Sequence, residues 1–163
     1  MFDAPIDMIW EAREKRFENP DQFPELQKHE EIERVEEGHI IRSKRKLELA
    51  SNVPGALRKV LSDDMLQCID DSEYNMEEGT HKWNVKPTFK TDVFKCTGFS
   101  RYTEIKEDDE VQTRREIMLE VKVKIPFVGK LAEQFILDAY KKNLDKDNKT
   151  IKKMIEIMKE EKE

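Results

Sequence analysis

The stretch from Ile125 to Phe135, with the sequence IPFVGKLAEQF, joins two contrasting residue patterns. Before it, apolar residues from Ile117 to Ile125 alternate with polar ones, which is typical of an antiparallel strand with one buried face. After it, residues 128–159 carry apolar side chains at helical spacing, interrupted by the polar run 145–149. Pro126 ends the strand because it cannot continue the ladder. The junction therefore predicts one long helix laid across an antiparallel sheet.

Five further segments of the chain are predicted as strands, and a short helix is predicted before them. That helix begins in the segment 3–10, DAPIDMIW, where Asp3 is a candidate cap and Pro5 suits a first turn. A run of strands followed by a helix indicates an α+β fold. We expect one domain, residues 1–163, in which a curved sheet of about six to seven strands grips the C-terminal helix. The predicted strands cover residues 31–36, 40–50, 66–74, 80–86, 92–106 and 111–125.

Composition excludes several classes of function. Charged residues make up 40% of the chain and the net charge is −6, which argues against a nucleic-acid partner. No apolar window approaches the length of a membrane span and no signal peptide is recognisable, so we expect a cytoplasmic protein without stable membrane insertion. Cys68 and Cys96 lack metal-ligand spacing and are expected to be free, partly buried thiols. No metal and no cofactor are predicted.

Two motifs resemble the START-like, helix-grip superfamily, which includes the polyketide cyclase and lipid-transport type. The first is DAPIDMIW at residues 3–10, and the second is VKIPFVGKLAE at residues 123–133. Together with Val53-Pro54 and WNVKP at residues 83–87, they are most similar to an uncharacterised bacterial family within that superfamily. The resemblance implies an internal cavity between sheet and helix that binds a hydrophobic or amphipathic small molecule such as a lipid.

The resemblance also implies a missing element. Related proteins begin with a strand ahead of the first motif, and that strand pairs beside the last strand. Only Met1 and Phe2 precede Asp3 here. Either the start of the chain is placed too late, or the first strand is truncated. In the second case we expect an exposed sheet edge and pairing of that edge in a homodimer.

The cavity lining implied by the resemblance is mostly apolar, and each of its members also suits a plain hydrophobic core. By strict alternation, Arg45 and Arg115 share the inward faces of their strands. Two guanidinium groups at a cavity could hold an anionic head group by bidentate hydrogen bonds. Alternatively, both lie near strand ends and turn outward. The predicted lining residues are Trp83, Phe94, Tyr102, Arg115, Ile117, Leu119, Val121, Phe135 and Ala139.

Two other functions stay open. An enzyme of the aromatase or cyclase type would need a polar residue deep in the cavity, such as Asp70, Tyr102 or Arg115. An interaction module would use the charged outer face. No catalytic residue is assigned, because the histidines lack partners at the spacing of a nucleophilic triad. We expect His81 to be exposed and Asp70 to face water, so a non-catalytic binding protein is favoured.

Overall fold

The structure is a computed structural model that describes residues 1–24, 29–49, 53–90, 92–108 and 110–161. Helix α1 is followed by a 3₁₀ helix at Arg16–Glu18, and a second 3₁₀ helix at Asp63–Leu66 precedes the third strand. Leu66 thus ends a helical turn, although the alternation predicted that it begins a strand. The helices and strands are α1 (Ile6–Lys15), β1 (Glu30–Glu37), β2 (Ile40–Glu48), β3 (Gln67–Asn75), β4 (Thr80–Pro87), β5 (Phe94–Glu107), β6 (Glu110–Val123) and α2 (Gly129–Glu160).

The six strands form one antiparallel sheet in the order β1-β2-β3-β4-β5-β6. Each strand pairs with the next one in the chain, so hairpin connections build the whole sheet. This arrangement, with α2 at the C-terminus and the short α1 before the sheet, confirms the predicted α+β fold. Ala50, predicted as the end of the second strand, lies outside the described residues.

The first half of α2 turns a slightly different face to the sheet from the one predicted, whereas the second half buries the predicted residues Ile151, Met154, Ile155 and Met158. The apolar pattern favoured the column of Leu131, Phe135 and Ala139. The structure instead buries Ala132, Ile136 and Tyr140, while Leu131 is 52% exposed. Both columns are apolar, and adjacent positions on a helix lie about 100° apart, so contact with the sheet selects between them. Phe135 still packs at the margin of the core.

Two apolar cores lie between the sheet and α2, one towards each end of the sheet. The first joins the beginning of α2 to the segment 53–66 and to one end of the strands, and includes Trp83 and Phe94. The second joins the end of α2 to α1 and includes Trp10 and Tyr102. Polar residues separate the two cores near the middle of α2, and this polar layer contains the candidate site.

One edge of the sheet is only briefly covered. Phe2 pairs with Thr113 through two backbone hydrogen bonds of 2.9 and 2.8 Å. Among the described residues this is the only bridge on the outer edge of β6, so residues 114–123 have a strand neighbour on one side only. The structure therefore contains a remnant of the expected first strand. Pairing with a second copy stays a prediction.

The structure also tests the predictions about the two cysteines, the cap of α1 and a membrane-spanning helix. Cys68 and Cys96 are free and buried, as expected, and burial raises the pKa of each thiol to about 12. Asp3 does not cap α1, since Pro5 occupies the cap position and the Asp3 carboxylate accepts a hydrogen bond from Gln112. Within the described residues, no helix is both long and apolar enough to cross a membrane.

Candidate functional site

The polar layer is organised around one carboxylate, that of Asp147 in the middle of α2. Arg16 contacts one of its oxygens at 2.7 Å, and Arg115 and Arg13 contact the other at 3.0 and 3.3 Å. These guanidinium groups come from three separate elements, namely the first 3₁₀ helix, β6 and α1. Asp147 therefore ties the N-terminal helical segment and the last strand to the long helix.

Neutral side chains hold the three arginines in place. Arg13 donates to the hydroxyl oxygens of Tyr74 at 2.8 Å and Tyr102 at 3.3 Å. Arg16 donates to Thr150 at 2.6 Å. Arg115 donates to Ser100 at 3.2 Å and to Asn148 at 2.7 Å. These hydrogen bonds fix the orientation of the guanidinium groups.

Positive charge exceeds negative charge in this layer. Arg13 and Arg16 are 5% and 2% exposed, and the Arg115 side chain is 3% exposed. Burial alone would raise the pKa of Asp147, but Arg16, Arg13 and Arg115 lower that pKa well below its usual range. The carboxylate is therefore ionised and balances one of three buried cations. An unbalanced buried charge costs several kcal/mol, on the order of the penalty for breaking a buried ion pair.

A cavity of about 100 Å³ lies against this layer, between β2–β4, β6, α1 and α2. A second pocket of about 340 Å³ lies towards β1 and shares four lining residues with the first. The two are therefore adjoining compartments, an inner cavity and an outer mouth. The shared residues are Arg16, Phe17, His29 and Arg45.

Arg45 and Asp70 face each other across β2 and β3 at the inner cavity. The Arg45 guanidinium lies over the Phe17 ring at 4.4 Å and contacts Glu31 at 2.9 Å, at the mouth. Asp70 accepts a hydrogen bond from Ser72 at 2.8 Å. Burial raises the pKa of Asp70 to about 6. A carboxyl group of this kind changes charge just below neutral pH.

Two aromatic residues of β4 bring unsatisfied polar atoms to the cavity. His81 is 5% exposed and stacks on Tyr74 with ring centroids 4.0 Å apart, and burial holds its pKa well below the usual value. Neither ring nitrogen of His81, nor the indole N–H of Trp83, has a hydrogen-bond partner within the described part of the chain. Leaving such buried groups unpaired costs about 1–3 kcal/mol each, so they are suited to bind a ligand atom.

Gly98 fixes the position of the Trp83 ring. It pairs with Trp83 across β4 and β5, and a Cβ atom at Gly98 would lie only 2.0 Å from the indole. The ring therefore lies flat against the β5 backbone. Tyr140 of α2 lies over the same ring, with centroids 6.3 Å apart and planes 5° from parallel.

The structure places the predicted lining residues in three different settings. Trp83 and Arg115 line the inner cavity, and Tyr102 lies beside it through its contact with Arg13. Phe94 is a core residue that is 1% exposed, and Ala139 lies next to the buried column of α2. The role of these residues in binding stays a prediction. The remaining members pack against the first core and do not line the inner cavity; they are Ile117, Leu119, Val121 and Phe135.

Two expectations about exposure were wrong. His81 was expected in water, but the alternation of β4 places it on the inner face with Trp83, where its ring packs between Tyr74 and Trp83. Asp70 was also expected in water, but it faces the cavity because it lies in the middle of β3 rather than at a loosened strand end. Arg45 and Arg115 do not turn outward, since both reach the polar layer.

Sequence reasoning missed Arg13, Arg16 and Asp147. A signal was present, because Arg13 falls on the apolar face of α1 and Asp147 interrupts the apolar stripe of α2. A charged residue on an otherwise buried face implies a charged partner. Among the described residues, no group of three or more His, Cys, Asp or Glu side chains could hold a metal ion.

The comparisons with known proteins agree with this architecture. The crystal structure of TTHA0849 from Thermus thermophilus is similar, with a TM-score of 0.55 and 15% sequence identity over 96% of this chain and 93% of that one. At this identity the likeness shows the fold alone. No curated protein matches the chain. The family described as "Protein of unknown function (DUF2505)" matches residues 2–155, and the chain therefore belongs to the DUF2505 family.

Proposed function

We propose that this protein binds an amphipathic small molecule with an anionic group in the cavity between the sheet and α2. The observation that carries the proposal is the excess of buried positive charge around Asp147, directly beside an open cavity. Arg13, Arg16 and Arg115 surround one carboxylate, and Arg45 stands at the mouth. A bound anion would balance this charge and remove the free-energy cost of leaving it buried without a counter-charge.

The charges of the lining favour an anion even when Asp70 is counted. Four arginines line the inner cavity, against the two carboxylates of Asp70 and Asp147. Arginine suits carboxylate and phosphate groups because its planar fork can donate two parallel hydrogen bonds. Glu31 and Glu14 at the mouth would repel an anion, which favours a ligand whose charged end passes inward beyond them.

The rest of the ligand would contact flat and apolar surfaces. In the inner cavity these are Trp83, Tyr140, Leu47, Leu144 and Phe17, and in the mouth they are Phe17, Pro20 and Phe23. The inner compartment of about 100 Å³ has room for a few atoms, so a longer apolar part would occupy the mouth of about 340 Å³. This geometry supports a single-chain carboxylate or an aryl acid more than a bulky lipid with two acyl chains.

Native mass spectrometry of protein purified from its own cells, followed by denaturing extraction, tests this function. We expect a bound organic acid or phosphate ester that is released on unfolding. Arg45→Gln should reduce its occupancy, whereas Arg42→Gln, an exposed arginine on the same strand, should leave it unchanged. Repeated recovery of empty wild-type protein, with no thermal shift across a panel of organic acids, would contradict the proposal.

One observation favours a second candidate, an enzyme of the cyclase type. Asp70 has a pKa raised to about 6 by burial and lines the same cavity as His81 and Tyr140. A general base works best with a pKa near the working pH. If the protein is an enzyme, Asp70→Asn should abolish turnover of the extracted ligand while leaving its binding intact.

A further inference from the structure

Three large apolar side chains are exposed to solvent at one end of the sheet. Phe89, in the loop after β4, is 52% exposed, and Phe127, in the loop after β6, is fully exposed at 107%. Leu131, in the first turn of α2, is 52% exposed. Leaving a phenylalanine exposed forgoes about 1.5–3 kcal/mol of burial. We refer to Phe89, Phe127 and Leu131 as the apolar tip.

The two loops lie side by side. The Lys124 N–H donates to the Val93 carbonyl at 2.8 Å, and the Val93 N–H donates to the Lys90 carbonyl at 2.9 Å. Phe94 and Val123, which begin β5 and end β6, are paired directly. Both loops therefore project from the same end of the sheet, the end at which α2 begins.

The backbone of the tip is also strained. Phe127 has a φ of 67° and Lys90 a φ of 51°. This left-handed region is disfavoured for residues with a Cβ atom and costs on the order of 1–3 kcal/mol per residue. At Phe127 the backbone is strained although the ring is not buried. Strain combined with apolar exposure indicates that folding alone does not account for this loop.

Lysines surround the tip. Residues 86–95 and 122–130 contain six lysines and one aspartate, although the whole chain has a net charge of −6. Lys95 and Lys122 are direct cross-strand neighbours on the outer face. Within the described residues, no ion pair joins Lys90, Lys124 or Lys130 to an acidic side chain. The lysines are Lys86, Lys90, Lys95, Lys122, Lys124 and Lys130.

We propose that this end of the molecule docks onto an anionic lipid bilayer. The phenylalanine rings enter the boundary between head groups and acyl chains, and the lysines remain at the level of the lipid phosphates. Projecting apolar side chains with lysines around them suit a surface that carries anionic groups above apolar chains. A second copy of this chain is a poor occupant because the same lysines would face each other.

Sedimentation of the full chain with lipid vesicles tests the proposal, using vesicles of phosphatidylcholine alone and vesicles that also contain phosphatidylglycerol. We expect binding only to the second kind, weakened by added salt. Lys124→Gln should lower the partition coefficient about fivefold. Phe127→Ser should lower it roughly tenfold. Met118→Ser is the matched control, because Met118 is 65% exposed on β6 outside the tip and should bind like wild type.

Circular dichroism verifies that each variant is folded, and Phe89→Ser provides a second test if Phe127→Ser fails to fold. Equal binding to both kinds of vesicle, no binding to either, or wild-type binding by folded tip variants would each overturn the proposal. A stable dimer that dissociates on Phe127→Ser would also overturn it and would identify a second copy as the occupant. These outcomes do not depend on whether the cavity holds a ligand.

Discussion

Arg16 and Asp147 lie 2.7 Å apart and join the short 3₁₀ helix after α1 to the middle of α2. Arg16 also donates to the Asp147 backbone carbonyl and to Thr150, so two residues about one turn apart on α2 hold a single guanidinium. Arg13 and Arg115 complete the set around the same carboxylate. This contact separates the two apolar cores and forms the floor of the cavity.

Removing the charge of Asp147 should destabilise the fold strongly. Asp147→Asn leaves three buried arginines without a counter-charge, and we expect a loss of about 3 kcal/mol in the free energy of unfolding, measured by urea denaturation. Asp145→Asn is the matched control, since Asp145 is exposed on the same helix and its replacement should change stability by about 0.5 kcal/mol or less. Equal effects of the two substitutions would show that the arginines do not depend on this carboxylate.

Asp70 should make stability depend on pH in a defined window. Its pKa rises from 3.8 to about 6 on folding, so the folded state binds more protons than the unfolded state between these values. Its contribution to stability is present below about pH 4 and is lost as the pH rises through about 6. The loss is about 3 kcal/mol.

Urea unfolding of wild type and Asp70→Asn across this pH range measures the effect. The difference in the free energy of unfolding between wild type and Asp70→Asn should change with pH in this window only. Asp71→Asn, on the outer face of β3, is the control and should behave like wild type. Parallel pH profiles for wild type and Asp70→Asn would contradict the assignment.

Gly98 should be required for the position of Trp83. In Gly98→Ala the new methyl group would lie 2.0 Å from the indole, which must move, and we expect a loss of about 1–3 kcal/mol together with a shift in Trp83 fluorescence in a Trp10→Phe background. Gly55→Ala is the control, because a Cβ atom there has no neighbour within 4 Å. An unchanged emission spectrum in Gly98→Ala would mean that the indole is not held against β5.

The open edge of β6 makes oligomeric state a separate prediction. Residues 114–122 present an unpaired strand edge among the described residues, and such edges pair readily with other chains. We propose an antiparallel β6–β6 dimer, which light scattering after size-exclusion chromatography would detect. Leu119→Pro should abolish it by removing a backbone donor. A wild-type protein of monomer mass would contradict the dimer.

The elements of the fold were predictable because each signal is local. The alternation in β6 and the Pro126–Gly129 junction placed the last strand and α2 within a few residues of their observed bounds. In the first half of α2 the buried face lies one position from the predicted one, since two adjacent apolar columns compete there and only contact with the sheet decides between them. The position of Arg115 on an inner face followed from the same alternation.

The polar layer could not be predicted in full, because its members come from distant parts of the chain. Arg13 and Asp147 are 134 residues apart in the sequence and meet only after α1 and α2 pack together. The polar run 145–149 was interpreted as an interruption of an apolar stripe. In this run α2 contacts the rest of the protein through ion pairs, and not through apolar side chains. The cationic character of the cavity therefore became evident only from the structure.

We propose that the cavity binds the anionic group of an amphipathic molecule. Isothermal titration calorimetry with octanoate and with octanamide tests it most directly, because the two probes have nearly the same shape and differ in charge. We expect binding of octanoate only, at least tenfold weaker in Arg45→Gln and unchanged in Arg42→Gln. Equal affinity for the two probes, or octanoate binding that is unaffected by Arg45→Gln, would contradict the account.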